Sequence, residues 1–224
     1  MNKNYEKIVS LVCNTLVEAG STFREDKKKA YKRAIASEDN EKAKWVLETV
    51  LANVEAAEKN HSPLCDDTGI PHIVLEIGPD AAVTGRMLDA IREGIAKGLR
   101  KLPGRPMGIM GDDCRRIDQS GGLNPDSAGV EPAPILIRRC QDNVIRLHIL
   151  MFGGGPAIRA KTYRVFHKHN MQVVLDEIVN WATEGVAQLG CSPCTLAVGV
   201  GRSHFEATSM MLQAQVDGRY AVSY

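Results

Sequence analysis

Apolar residues recur at helical spacing through the first sixty residues of the chain. One stripe ends at Gly20 and another ends before Asn60. The first comprises Tyr5, Ile8, Val9, Val12 and Leu16, and the second comprises Val46, Val50 and Val54. Residues three and four apart share one face of a helix, so both stripes predict amphipathic helices. We therefore expect 1–60 to be a helical segment.

Beyond residue 60, short apolar runs alternate with further helical patterns. Strands are predicted for four runs, at 73–77, 134–139, 143–152 and 196–200. Helices are predicted at 80–101, at 173–189 and from 205 onward. The second and third strands are close enough in sequence to form a hairpin with a tight turn.

These elements predict a mixed α/β (α+β) fold, in which a helical N-terminal segment is followed by a mixed sheet flanked by helices. No linker separates two independent parts, so a single domain is predicted for 1–224, with the site in 61–224. The least regular stretch, 103–134, is rich in proline and glycine. A loop of that length in a compact domain is usually functional or disordered.

Charge and cysteine content restrict the classes of function. The chain has 28 basic and 27 acidic side chains, which gives no support for a nucleic-acid partner or an acidic membrane surface. Six cysteines without regular spacing favour a reduced, cytoplasmic compartment over a disulfide scaffold. The first residues lack the apolar core of a signal peptide, and no apolar run is long enough to span a bilayer.

Candidate chemistry begins in the segment 61–72, His-Ser-Pro-Leu-Cys-Asp-Asp-Thr-Gly-Ile-Pro-His. A thiol beside two carboxylates, on a loop that leads into a strand, is suited to binding a metal or a ligand. An Asp-rich turn with an incidental thiol would have the same composition. Further along, Cys191-x-x-Cys194 could ligate a cluster, form half of a zinc site or act as a redox pair. The glycines at 153–155 end a strand and would let a ligand approach the backbone.

These segments resemble the iron–sulfur hydro-lyases, namely the class I fumarate hydratases and the alpha subunit of L-tartrate dehydratase. Cys-Asp-Asp-Thr-Gly at 65–69 resembles their Cys-Gln-Asp-Thr-Gly motif. Gly-Gly-Gly at 153–155 resembles their Gly-Gly-Gly segment, and 190–201 resembles their Cys-Pro-Pro segment. All three occur in the family's order, over about 62–212.

The resemblance implies a [4Fe-4S] cluster and reversible dehydration of a 2-hydroxy dicarboxylic acid of the fumarate/malate or tartrate type. One iron without a protein ligand would act as a Lewis acid. Cys65 and Cys191 match two cluster ligands, and Asp67 matches a carboxylate that handles the substrate proton. The residues implied in substrate binding are Asp66, which replaces the family's glutamine, Arg100, Gly154 and Gly155.

The family's third cluster cysteine has no match in this chain. We expect it in a C-terminal continuation, so the chain is predicted to be truncated or incomplete. The resemblance also implies a beta subunit as partner, in a homo-dimer or an alpha–beta hetero-oligomer. Two alternatives stay open at this point: a cluster-free relative that binds carboxylates without catalysis, and a thiol redox module that uses Cys191 and Cys194.

Overall fold

The computed structural model describes residues 3–102, 104–105, 107–155, 160–188 and 194–218. It has a mixed α/β fold with a helical N-terminal segment, which confirms the predicted class. The helices are α1 (Lys3–Ser21), α2 (Glu25–Ser37), α3 (Glu41–Asn60), α4 (Gly85–Lys101), α5 (Asp113–Asp118), α6 (Met171–Ala187) and α7 (His204–Val216). The strands are β1 (Thr68–Ile77), β2 (Leu136–Arg139) and β3 (Ile145–Gly153), and Ser127–Gly129 forms a 3-10 turn.

The chain forms two compact units. The first comprises described residues within 1–24 and 48–154 and contains α1, the sheet, α4 and α5. The second comprises described residues within 25–47 and 155–224 and contains α2, α6 and α7. The single domain predicted for 1–224 stays a prediction.

The sheet has the strand order β2-β1-β3. β1 pairs with β2 in parallel and with β3 in antiparallel orientation, so Glu76 lies opposite both Arg138 and Arg146. The predicted hairpin of β2 and β3 is therefore wrong. β1 carries the buried residues Ile73, Val74 and Leu75, and this most deeply buried strand takes the centre of the sheet.

The connection between β2 and β3 passes across the end of β1 at Gly78. The N–H of Cys140 donates to the carbonyl of Ile77 (3.1 Å), and the N–H of Gly78 donates to the carbonyl of Val144 (2.8 Å). A side chain at Gly78 would collide with the carbonyl oxygen of Asp142. Glycine is needed here because two backbones approach each other closely.

Helices α1 and α4 pack against each other and contribute to the core with one face of the sheet. The buried core comprises Val12, Leu16, Ile73, Leu75, Ile91, Ile95, Leu99, Leu102, Val130 and Ile149. Gly94 and Gly98 of α4 face α1, and a Cβ atom on Gly94 would lie 2.6 Å from the Cβ atom of Val12. The two helices therefore approach more closely than side chains at these positions would allow.

The strand predicted at 196–200 is not formed. The segment is irregular, and Leu196, Val198 and Val200 are exposed. The backbone of Gly199 instead passes against the carbonyl of Ala207 in α7. A short apolar run forms a strand only where a partner strand is available to pair with it. Among the described helices, none combines the length and apolarity needed to cross a bilayer.

Candidate active site

The loop that carries Cys65 is held by three hydrogen bonds to its own backbone groups. The N–H of Leu64 donates to the carbonyl of Gly20 at the end of α1 (2.9 Å). The carbonyl of Leu64 accepts from Nδ2 of Asn53 on α3 (3.1 Å). The carbonyl of Asp66 accepts from the N–H of Arg105 (3.1 Å). These contacts fix the backbone on both sides of Cys65 and leave its side chain exposed.

The thiol of Cys65 has a backbone donor beside it. The N–H of Asp67 lies 3.5 Å from Sγ, within hydrogen-bonding distance for sulfur. A thiolate in this position would be stabilised by the N–H dipole, and exposure would let it bind a metal. Asp66, by contrast, has an exposed side chain, and it is the backbone carbonyl of this residue that accepts from Arg105.

Asp67 forms an ion pair with Arg105. Nη2 of Arg105 donates to Oδ1 of Asp67, from a position 38 residues further along the chain. The Asp67 side chain is 30% exposed and that of Arg105 is 53% exposed. The pair is thus open on one side, where a third charged group could bind.

Two glycines and a methionine complete the surroundings of Asp67. A Cβ atom on Gly154 would lie 2.7 Å from Cε of Met107 and 3.5 Å from Oδ2 of Asp67. A Cβ atom on Gly69 would collide with Sδ of Met107. The methyl group of Met107 therefore takes up the space that a side chain on Gly154 would need, next to the Asp67 carboxylate, whereas a Cβ atom on Gly155 would meet open space.

Arg100 is engaged elsewhere. Its Nε donates to Oδ1 of Asp126 (3.0 Å) and its Nη2 donates to Oδ2 (2.7 Å). This bidentate pair lowers the pKa of Asp126, chiefly through the hydrogen bond from the guanidinium. Asp126 also caps the turn at Ser127–Gly129 by accepting from the N–H of Ala128. The substrate-binding role of Arg100 stays a prediction.

The predicted ligand Cys191 lies outside the described residues. Cys194 is described and exposed, in the second unit. Within the described ranges, no three side chains of His, Cys, Asp or Glu are grouped as a metal site would require. The structure thus brings together Cys65, Asp67 and Gly154 of the predicted set.

Sequence reasoning missed Met107 and did not separate Arg105 from the other arginines of the irregular loop. Both lie in Gly-Arg-Pro-Met at 104–107, where no periodicity indicates which side chains face the site. Asn53 was also missed, because it occupies an exposed position of a helix with no unusual pattern around it.

Two curated relatives match the chain. A Methanocaldococcus jannaschii protein with the provisional name L(+)-tartrate dehydratase subunit alpha is 27% identical over 198 residues, which cover 87% of this chain and 66% of the relative. A Geobacillus stearothermophilus protein with the provisional name fumarate hydratase class I is 24% identical over 156 residues, which cover 69% of this chain and 28% of the relative. The chain thus spans just under two thirds of the first relative's length and much less of the second's.

A family model matches more of the chain than the three motifs cover. The matched range contains the Cys65 loop, the Asp67–Arg105 pair and the glycines that follow β3. The chain belongs to the Fumarate hydratase (Fumerase) family, whose model matches residues 9–220.

Proposed function

We propose that this chain is the alpha-type subunit of an iron–sulfur hydro-lyase, which reversibly dehydrates a 2-hydroxy dicarboxylic acid together with a beta subunit. The observation that carries the proposal is the grouping of an exposed thiol, a carboxylate–guanidinium pair and a glycine beside the carboxylate, near one end of β1. These groups are Cys65, Asp67, Arg105 and Gly154. Cys65 would hold a metal centre, Asp67 would move a proton and Arg105 would bind a carboxylate, while Gly154 makes room for Met107 next to Asp67.

The properties of Cys65 fit those of a cluster ligand. It is exposed, and a backbone N–H lies 3.5 Å from its sulfur. Hydrogen bonds to ligating sulfurs are a usual feature of iron–sulfur sites. Cys65 and Cys191 would hold a [4Fe-4S] cluster, together with a thiolate that this chain's motifs do not identify. When bound, the cluster supplies an iron without a protein ligand, which acts as a Lewis acid on substrate oxygens.

Asp67 would exchange the proton on the carbon next to the hydroxyl-bearing carbon. Its Oδ1 accepts from Arg105, so Oδ2, the oxygen nearer to Gly154, is the one available to the substrate. The reaction is redox-neutral, because the proton from one carbon and the hydroxide from its neighbour leave together as one water.

Arg105 would bind a substrate carboxylate. Its guanidinium is 53% exposed and has further N–H donors besides the one that contacts Asp67. A planar fork of donors suits a carboxylate, and a permanent positive charge favours an anionic substrate beside Asp67. Arg100 would reach a substrate only after leaving Asp126.

Partner and substrate class are inferred from the relatives. The name of the first relative includes a subunit designation, which supports a beta subunit as partner. The two names specify tartrate and fumarate, which supports a diacid with four carbons. Five cysteines among the described residues are free thiols, which supports the cytoplasmic location predicted above.

The proposal is tested by anaerobic reconstitution of the full-length protein with iron and sulfide, with and without its partner subunit. Iron and sulfide are counted in the unchanged chain and in the Cys65→Ala, Cys191→Ala and Cys114→Ala variants. Cys114 is an exposed thiol on α5 and serves as the matched control. A screen of malate, fumarate and tartrate for hydration or dehydration then follows.

We expect an oxygen-sensitive cluster that the first two substitutions abolish and the third leaves intact. A protein that binds diacids but takes up no iron in any preparation would contradict the proposal. The carboxylate-binding relative without catalysis would then be the better description.

A further inference from the structure

Met107 lies between the two glycine segments of the candidate site. Its Sδ lies against Gly69, and its Cε atom lies 2.7 Å from the position of a Cβ atom on Gly154. The same position lies 3.5 Å from Oδ2 of Asp67. The methyl group of Met107 therefore fills the space that a side chain on Gly154 would occupy, beside the carboxylate of Asp67.

Backbone contacts on both sides hold Met107 in this place. The N–H of Arg105 donates to the carbonyl of Asp66 (3.1 Å), and the carbonyl of Gly108 accepts from the N–H of Asn124 (2.7 Å). The Met107 side chain is half-buried and packs against the core cluster of the first unit. The thioether thus forms a fixed apolar wall beside a charged pair.

This wall faces the part of the substrate in which the candidate diacids differ. If Asp67 exchanges the proton, the proton-bearing carbon must lie close to Oδ2 and hence close to Met107. That carbon carries a second hydrogen in malate, a methyl group in 3-methylmalate and a hydroxyl in tartrate. A hydroxyl against a thioether methyl loses hydrogen bonds to water without replacement, whereas hydrogen or methyl loses none.

We propose that Met107 determines substrate class, and that the site selects diacids whose proton-bearing carbon carries hydrogen or an alkyl group over those in which it carries a hydroxyl. This inference rests on the proposed function, since it takes Asp67 as the proton-exchanging group. It differs from the substrate in the name of the Methanocaldococcus jannaschii relative, with which the chain shares 27% identity. An apolar wall discriminates against an added hydroxyl by about 10- to 100-fold.

The test compares kcat/KM for malate, 3-methylmalate and tartrate in the reconstituted protein with its partner subunit. Two variants accompany the unchanged chain. Met107→Leu keeps the wall apolar at similar volume, and Met107→Gln places an amide at similar length. Circular dichroism and a thermal melt confirm that each variant folds.

The unchanged protein and Met107→Leu are expected to prefer malate over tartrate at least tenfold, and Met107→Gln is expected to reduce that preference about tenfold or more. An unchanged protein that prefers tartrate, or a preference that the glutamine variant leaves unaltered, overturns the inference while the dehydratase function stands.

If no diacid is dehydrated by any variant, the proposed function fails. The inference about Met107 is then tested separately, by measuring the affinities for malate and tartrate by calorimetry. Tighter binding of malate that Met107→Gln removes supports it. Equal binding, or no binding, overturns it.

Discussion

Nη2 of Arg105 donates a hydrogen bond to Oδ1 of Asp67, although the two residues are 38 positions apart in the sequence. The arginine comes from the irregular loop and the aspartate from the segment before β1. This pair makes the irregular loop part of the candidate site.

Arg105→Gln is expected to reduce kcat/KM for the diacid substrate by about 10- to 100-fold, because it removes a charged hydrogen-bond donor from the bound carboxylate. The loss should appear mainly as a higher KM. Arg116→Gln, at an exposed position of α5, is the control and should leave kcat/KM unchanged. Steady-state kinetics of the reconstituted enzyme provide the measurement.

The same experiment decides between the two arginines. Arg100 is held by Asp126 in a bidentate pair, so Arg100→Gln should cost less activity than Arg105→Gln. A larger loss for Arg100→Gln would assign carboxylate binding to Arg100, as the family resemblance implies, and would contradict the role given to Arg105.

Gly94→Ala is expected to destabilise the fold. Overpacking costs about 1–3 kcal/mol, and the higher helix propensity of alanine offsets up to about 1 kcal/mol of that cost. The added Cβ atom would lie 2.6 Å from that of Val12 and 2.8 Å from the carbonyl oxygen of Val9, so α1 and α4 must move apart. The free energy of unfolding in urea measures the change.

Gly85→Ala is the matched control in the same helix. A Cβ atom on Gly85 would meet nothing within 4 Å, so this substitution should change the free energy of unfolding by less than about 0.5 kcal/mol. Equal destabilisation by the two substitutions would show that close packing of α1 against α4 is not the reason for glycine at position 94.

Glu76 is the centre of an ionic cluster on the sheet. Burial raises the pKa of Glu76, but hydrogen bonds from Arg138 and Arg146 outweigh that effect, and the net pKa lies below its ordinary value of 4.5. The stabilisation is therefore complete above about pH 4.5 and is lost as the pH falls through the folded-state pKa.

Glu76→Gln should lower the free energy of unfolding at pH 7 by about 2 kcal/mol and flatten its decline below pH 4.5. Glu55→Gln, at an exposed position of α3, should have neither effect. Urea unfolding between pH 3 and 7 provides both readings. If the free energy of unfolding of Glu76→Gln still falls steeply below pH 4.5, other carboxylates are responsible for the loss of stability in acid.

His72 is expected to titrate below 6.5. Burial lowers the pKa of His72, and its contact with the carbonyl of Ile70 (3.2 Å) offsets that shift only in part. Because the unfolded chain takes up the proton first, stability associated with His72 is present above pH 6.5 and is lost as the pH falls through the folded-state pKa. The NMR shift of the ring proton on Cε1 measures the midpoint.

Phe152→Leu tests the cause of that shift. The phenyl ring packs edge-on against His72 with 4.6 Å between centroids, and its removal should let water reach the imidazole and raise the midpoint. A midpoint at or above 6.5 in the unchanged protein would contradict burial as the dominant effect.

The longer helices could be predicted from the sequence where they carry a periodic apolar stripe, whereas the short α5 in the irregular loop was not predicted. α1 and α4 form with their apolar residues in the core, as expected. Strand pairing could not be predicted in the same way. The short apolar run of β2 indicates a strand but not its neighbour, and the apolar β1 took the central position between β2 and β3.

The candidate site could be predicted where its reactive side chains are close together in the sequence. Cys65 and Asp67 share one short motif, and the strand that starts beside them brings Gly154 to Asp67 through its pairing with β3. Met107 and Arg105 were not predictable, because their positions depend on how an irregular loop folds back onto that motif.

The central position of β1 has a consequence for synthesis of the chain. Glu76 emerges from the ribosome 62 residues before Arg138 and 70 residues before Arg146, its two partners in the sheet. At ordinary elongation rates that delay is roughly 3 to 14 seconds. During this interval β1, the strand that becomes buried at the centre of the sheet, has two unpaired edges, and unpaired edges are where strands of different molecules aggregate. We therefore expect the yield of folded protein to depend on chaperones that shield β1 until β3 is made.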